Sequence, residues 1–283
     1  MVNYMDTRTN NKLKGLLRTG DPKSLYRFDS PLNPEEVTPS RIGYPRTLLS
    51  TSRKTEKGRS VGVSTKVMYL TPGALCPAAS PGCVAACLGF SSGRMSLQQA
   101  SFARDRRTSL FIHERDMFLS KLNSEIAEHA DEARAMGLVP CVRLNGSSDV
   151  DWSEVAPQIF RRHSDCMFYD YSKVPGIALR YAARGDSGSS WPTNYAITFS
   201  VAEHNTKRAL QMLEVGVNVS VVFSGGLPSQ WLGVKVIDGD QHDARWLDPN
   251  PCVVGLSAKG LAQYDQTGFV VRPNWTTRTK SSV

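Results

Sequence analysis

From residue 61 onward the chain alternates between short apolar runs and amphipathic stretches. Seven runs stand out: VGVSTKVMYLT (61–71), LVPCVRL (138–144), CMFYDY (166–171), NYAITFS (194–200), NVSVVFS (218–224), GVKVIDG (233–239) and CVVGLSA (252–258). They are rich in β-branched and aromatic residues and predict strands. Between them apolar residues recur at helical spacing. Phe102, Leu110, Phe111, Phe118, Leu119, Leu122 and Ile126 predict one long helix over 95–136, closed by Gly137. Shorter helices are predicted over 153–163, 175–184 and 203–214. Strands that are apolar throughout and alternate with helices indicate a parallel sheet covered on both sides. The expected fold is α/β, a partial or complete (β/α) barrel over 61–272. A basic, irregular extension (1–60) precedes it and a short tail (273–283) follows. Polar, glycine-containing strings follow the strands, so they fall at the C-terminal edge of the sheet, where α/β folds place their sites.

Composition narrows the class. Hydrophobic residues make up 40% and charged residues 21% of 283, ordinary for a globular chain. No apolar run approaches the ~20 residues a membrane span needs, and no apolar stretch follows the first charges, so neither a membrane nor a secretory signal is expected. The net charge is +8. Residues 1–66 hold 13 Lys/Arg against 6 Asp/Glu, which leaves only +1 for the rest. A basic arm of this kind either binds nucleic acid through counterion release or is a solvated extension. No zinc-finger spacing, ribonucleoprotein motif or basic-leucine pattern favours the first. Strings for nucleotide loops (G-x-G-x-x-G, Walker) and zinc proteases (H-E-x-x-H) are also absent from the sequence.

Three of the six cysteines fall in one loop, CPAASPGCVAACLGF, with spacing C-x6-C-x3-C. Cys141, Cys166 and Cys252 lie singly in apolar runs and read as core residues. Cys76, Cys83 and Cys87 sit on a Pro/Gly/Ala loop without acidic residues, a donor set suited to a soft metal centre. Cys83 and Cys87, four apart, would share one side of a helical turn. Three thiolates fit a [4Fe–4S] cluster with one iron left open. A distant fourth ligand would make the site zinc instead, and a loop without metal is the remaining reading.

The other strand ends supply polar candidates. Asn145, Gly146, Ser147 and Asp149 follow the second strand. Asn145 and Asp149 come too early to cap the next helix, a task better suited to Asp151 or Ser153. Asp170 and Lys173 stand at the third strand as an acid and a base that would hold each other or a substrate. Ser200 and Glu203 follow the fourth, and Glu203 reads equally as a first-turn helix acid. Four carboxylates, Asp238, Asp240, Asp243 and Asp248, follow the sixth strand, with Asp240 the candidate for catalysis. Lys259, after the last strand, reads as an anion contact or a solvated lysine.

The strings CPAASPGCVAACL, VRLNGSSDVDW, FYDYSK, TFSVAEHN, VIDGDQHDARWLDP and VVGLSAKG resemble the tailed-bacteriophage family called gene product 88. That resemblance implies a phage protein in the cytoplasm of an infected bacterium and carries no assigned reaction. A cysteine triplet after the first strand of a partial barrel is also similar to the radical S-adenosylmethionine superfamily. This likeness implies Cys76, Cys83 and Cys87 as cluster ligands. It implies S-adenosylmethionine as a cofactor met by Asn145, Gly146, Ser147 and Asp149. The spacing and the NGSSD string both depart from that superfamily's usual patterns. Three functions compete: an iron–sulfur enzyme acting on a small molecule, a metal-stapled module binding nucleic acid or a host protein, and a hydrolase or transferase using the Asp238–Asp248 string.

Overall fold

The computed structural model describes residues 37–273, except 74 and 92. Most of the expected basic extension (1–36) and the expected tail (274–283) lie outside the described residues. All seven expected strands form: β2 (Val63–Met68), β3 (Val139–Arg143), β4 (Met167–Ser172), β5 (Tyr195–Ser200), β6 (Val219–Phe223), β8 (Val234–Asp238) and β9 (Val253–Ser257). Two short edge strands join them, β1 (Leu49–Ser50) and β7 (Gln230–Trp231). The sheet order is β1-β2-β3-β4-β5-β6-β9-β8-β7. The strands from β2 to β8 pair in parallel, while β1 and β7 pair antiparallel at the two edges.

The sheet is not closed, which corrects the expectation of a complete barrel. β2 to β6 follow one another in space as in sequence, as in a barrel. Then β9 inserts between β6 and β8, and the β7–β8 hairpin ends the sheet instead of returning to β2. At the other end Leu48 and Leu49 are buried, and both backbone amides donate to Glu125, so β1 covers that edge. The integrated fold therefore starts before residue 61.

The main helices connecting the parallel strands share one face, not both. A serial strand order with crossovers of one hand puts every connecting helix on the same side. The predicted helix over 95–136 is two helices, α2 (Gln98–His113) and α3 (Arg115–Ala135), broken at Glu114 where φ is −134° and ψ 62°. α3 buries Phe118, Leu122, Ile126, His129, Ala130 and Ala133. Its end matches expectation: Gly137 has φ 68°, and Leu138 N donates to Ala133 O at 2.9 Å. Pro157 divides the next segment into α4 (Trp152–Val155) and α5 (Gln158–Arg162). α6 (Pro175–Ala182) and α7 (Thr206–Glu214) follow β4 and β5. Their apolar faces meet Val142, Leu144, Phe168, Ile197, Phe199, Val219 and Val221 in the main core. The alternate residues of the same strands face the other way. There Val63, Cys141, Tyr169 and Ala196 are covered by Ala244 and Trp246 of the segment after β8. Among the described residues, no helix is long and apolar enough to cross a membrane.

Candidate functional site

The cysteine loop runs from the end of β2 across the C-terminal edge of the sheet. Turns shape it, with Cys76 N donating to Gly73 O and Ala79 N to Cys76 O. Ser80 then caps α1 (Pro81–Ala85), accepting from Cys83 N at 3.2 Å. Pro81 at the first helical position suits that start. Cys83 thus lies in the first turn and Cys87 just past the end of α1. All three residues are half-buried. Cys76 donates weakly to Ser147 O at 3.7 Å. Burial pushes the Cys76 thiol up to about 11 and the Cys87 thiol up to about 12, and neighbouring sulfurs add to both. The three sulfurs therefore stand within electrostatic reach of one another.

Lys173 joins this group from the end of β4. Burial alone would depress its pKa. Cys83, which hydrogen-bonds the ammonium, together with Asp149 and Cys76 outweighs burial and holds the value above that of an ordinary lysine. Its Nζ also lies 5.6 Å from the centre of the Phe269 ring. Asp149 accepts from Lys173 N at 2.8 Å, and its other oxygen is buried without a hydrogen-bond partner. Burial raises the Asp149 carboxyl, against hydrogen bonds from Ser172 and Lys173.

Glu203 fastens the loop from β5. Its carboxylate accepts from Ser80 Oγ at 2.5 Å and Gly82 N at 2.9 Å. It lies outside α7, so its task is to hold the start of α1. From above, residues 265–270 form a lid that the sequence reasoning missed. Asp265 knots this turn by accepting from Thr267, Gly268 and Val270 amides. A Cβ at Gly82 would collide with Thr267 and Phe269, so this position needs glycine. Ala86 packs with Ala262 and Val270 beside it.

The NGSSD string and Asp170 have a different place. Asp170 is fully buried and accepts from Asn145 N at 2.6 Å, Asn145 Nδ2 at 3.3 Å and Tyr195 Oη at 2.9 Å. Burial pushes its carboxyl up to about 7, opposed by those hydrogen bonds and by Arg143. Asn145 Oδ1 in turn accepts from Ser148 Oγ, Val150 N and Trp152 Nε1. Gly146 lets the ends of β2 and β3 approach: an added Cβ would lie 2.5 Å from Met68 O. Ser147 Oγ donates to Leu70 O. Of this string, Asp149 and the Ser147 carbonyl reach the cysteine group, while Asn145, Gly146 and Asp170 tie the strand ends together.

The remaining candidates lie apart. Ser200 Oγ and Ser220 Oγ are 3.2 Å from each other on adjacent strands, both buried. Asp240 pairs with Lys259 Nζ at 2.7 Å and accepts from Ser257 N, joining the ends of β8 and β9. The rest of the acidic string is split. Asp238 binds the Asp240 and Gln241 nitrogens, Asp243 pairs with Lys54 at 2.9 Å, and Asp248 pairs with Arg245 at 3.2 Å. Among the described residues, no three His, Cys, Asp or Glu side chains are grouped as a metal ion would need.

A family model described as Gene product 88 matches residues 46–273. The chain belongs to the gene product 88 family. The match begins close to β1 and ends with the lid segment, so it covers the whole described sheet and the site. As a gene product 88 chain it is tied to phage. No curated protein and no solved structure matches it, and nothing in these comparisons supports the likeness to the radical S-adenosylmethionine superfamily.

Proposed function

We propose that this gene product 88 protein is an iron–sulfur protein of the infected host's cytoplasm, with Cys76, Cys83 and Cys87 as the ligands of a [4Fe–4S] cluster. The observation that carries the reading is three half-buried cysteines within electrostatic reach of one another, two of them, Cys76 and Cys83, beside Lys173 at the C-terminal edge of the sheet. The donor set fits in kind: three thiols, a soft set, beside a cation that offsets thiolate charge. It does not yet fit in arrangement, since the thiols are not grouped as ligands. Ligation therefore requires the three side chains to turn onto one centre. A nucleophilic cysteine is the weaker reading, because Cys76 and Cys87 are held as thiols at neutral pH and thiols react poorly. Metal ligation is what deprotonates such groups. Bound here, a cluster would offer one iron to a small molecule, S-adenosylmethionine among them. The serial order of β2 to β6, with helices on one face, supports describing the sheet as a partial (β/α) barrel.

The basic N-terminal segment favours a second reading, a zinc-stapled module that binds nucleic acid or a host protein. One experiment separates the two. The full chain is purified without oxygen and assayed for iron, acid-labile sulfide and zinc, beside the Cys76/Cys83/Cys87 triple alanine variant. About four iron and four sulfide per chain, lost in a variant with unchanged Tm, is the expected result. One zinc without sulfide moves the protein to the second reading, and neither metal overturns both.

A further inference from the structure

The inner face of the sheet, away from the helices, carries more cationic side chains than its carboxylates pair. Arg143 on β3, Tyr171 on β4 and Lys173 just past the end of β4 lie on this side and all keep some accessible surface. The Arg143 guanidinium leans toward the strand ends, donating from Nε to Asn145 O at 3.2 Å and resting 4.7 Å from the Tyr171 ring centre. Lys173 follows two residues after Tyr171, just past the strand end, with its ammonium toward the Phe269 ring and Cys83. The neighbouring cations are already paired, Lys54 with Asp243 and Arg245 with Asp248. Among the described residues, no carboxylate stands within ion-pair distance of Arg143 or Lys173. Tyr169, on the same face, has a buried hydroxyl without a hydrogen-bond partner. Asp243 and Asp170 support the Arg143 charge from nearby without pairing with it, which leaves its fork of donors for a ligand. Arginine matches planar or tetrahedral oxyanions with two parallel donors.

We propose that Arg143 and Lys173 form an anion-binding subsite on the inner face, beneath the cysteine loop, that takes the phosphate or carboxylate of a small-molecule ligand. Arg143 would supply the paired N–H donors and fix orientation. Lys173 would supply charge from the side nearest Cys83. Tyr169 and Tyr171 would frame the group. The subsite stands on these residues alone and does not need a metal.

The test titrates the full chain with inorganic phosphate and, separately, with acetate, by calorimetry at constant ionic strength. Wild type, Arg143→Gln, Lys173→Gln and Lys259→Gln are compared, with fold checked by circular dichroism and iron measured on every sample. The expected result is saturable binding of at least one anion, weakened tenfold or more in Arg143→Gln and Lys173→Gln and unchanged in Lys259→Gln. Phosphate alone would mark a phosphate-bearing ligand, acetate alone a carboxylate. If Arg143→Gln does not fold, Lys173→Gln decides. Absent saturable binding to wild type, or binding kept at wild-type strength in the folded variants, overturns the subsite. Because binding is read whether or not iron is present, this failure and a failure of the cluster reading are told apart.

Discussion

Two polar groups sit side by side at the C-terminal edge of the sheet, and they use similar residues to opposite ends. In the Asn145–Asp170–Tyr195 group, on the helix side, the groups are buried and find partners within the group or in nearby backbone. In the Cys76–Cys83–Lys173 group, on the inner side, the residues keep accessible surface, and the adjoining Asp149 has an oxygen without a partner. A fully satisfied buried network has little left to offer a ligand and serves to fix the strand ends. An accessible group of cations and thiols can still gain from one. The difference teaches that an aspartate or asparagine at a strand end is not a site by location alone; its unused hydrogen-bonding capacity decides.

The largest test of this contrast is Asp170→Ala. It strands Asn145 and the Tyr195 hydroxyl in the core, and breaking such a network costs about 3–5 kcal/mol. Thermal denaturation should show Tm lower by roughly 6 °C or more. A Tm within a degree of wild type would break the division between the two groups. The same residue gives the next effect. Its folded value, about 7, is raised above the ordinary 3.8. The native state then holds the extra proton, so this contribution is full below about pH 4 and is lost as pH rises through about 7. Asp170→Asn should flatten the fall of stability across that window, by at most about 1.4 kcal/mol per pH unit. Urea denaturation at several pH values reads it, and an identical slope in the variant would assign the titration elsewhere. Smaller still is Glu203→Ala, which frees Ser80 and the amide of Gly82 and should cost about 1–2 kcal/mol. Its sharper readout is hydrogen exchange. Residues 76–87 should exchange faster while β3 and β4 keep their protection, and uniform acceleration would show that Glu203 does not act on the loop locally.

Much of the fold was legible in the chain. Periodicity set the seven parallel strands, and Gly137 marked the end of α3, because these depend on neighbours a few residues away. The break at Glu114 was not legible, since apolar spacing continues across it from Phe111 to Phe118. β1 and β7, two residues each, carry too little pattern to read and exist only through pairing with β2 and β8. The cysteine triplet and Lys173 were visible as candidates by residue type. Arg143, a charge inside the apolar run VPCVRL, was not singled out by the sequence; only the structure shows that no carboxylate among the described residues pairs with it.

The sequence by itself determined the α/β class and which polar strings lie at strand ends, because strand direction and alternation are local properties. Tertiary structure decided the rest. It placed β9 between β6 and β8 and so left the sheet open. It turned Asn145 and Asp170 into a tie between strands and Glu203 into the anchor of the cysteine loop. It brought Thr267 and Phe269 onto Gly82 from far along the chain. These outcomes depend on which groups meet and which are left without partners, and that is settled only when distant segments pack.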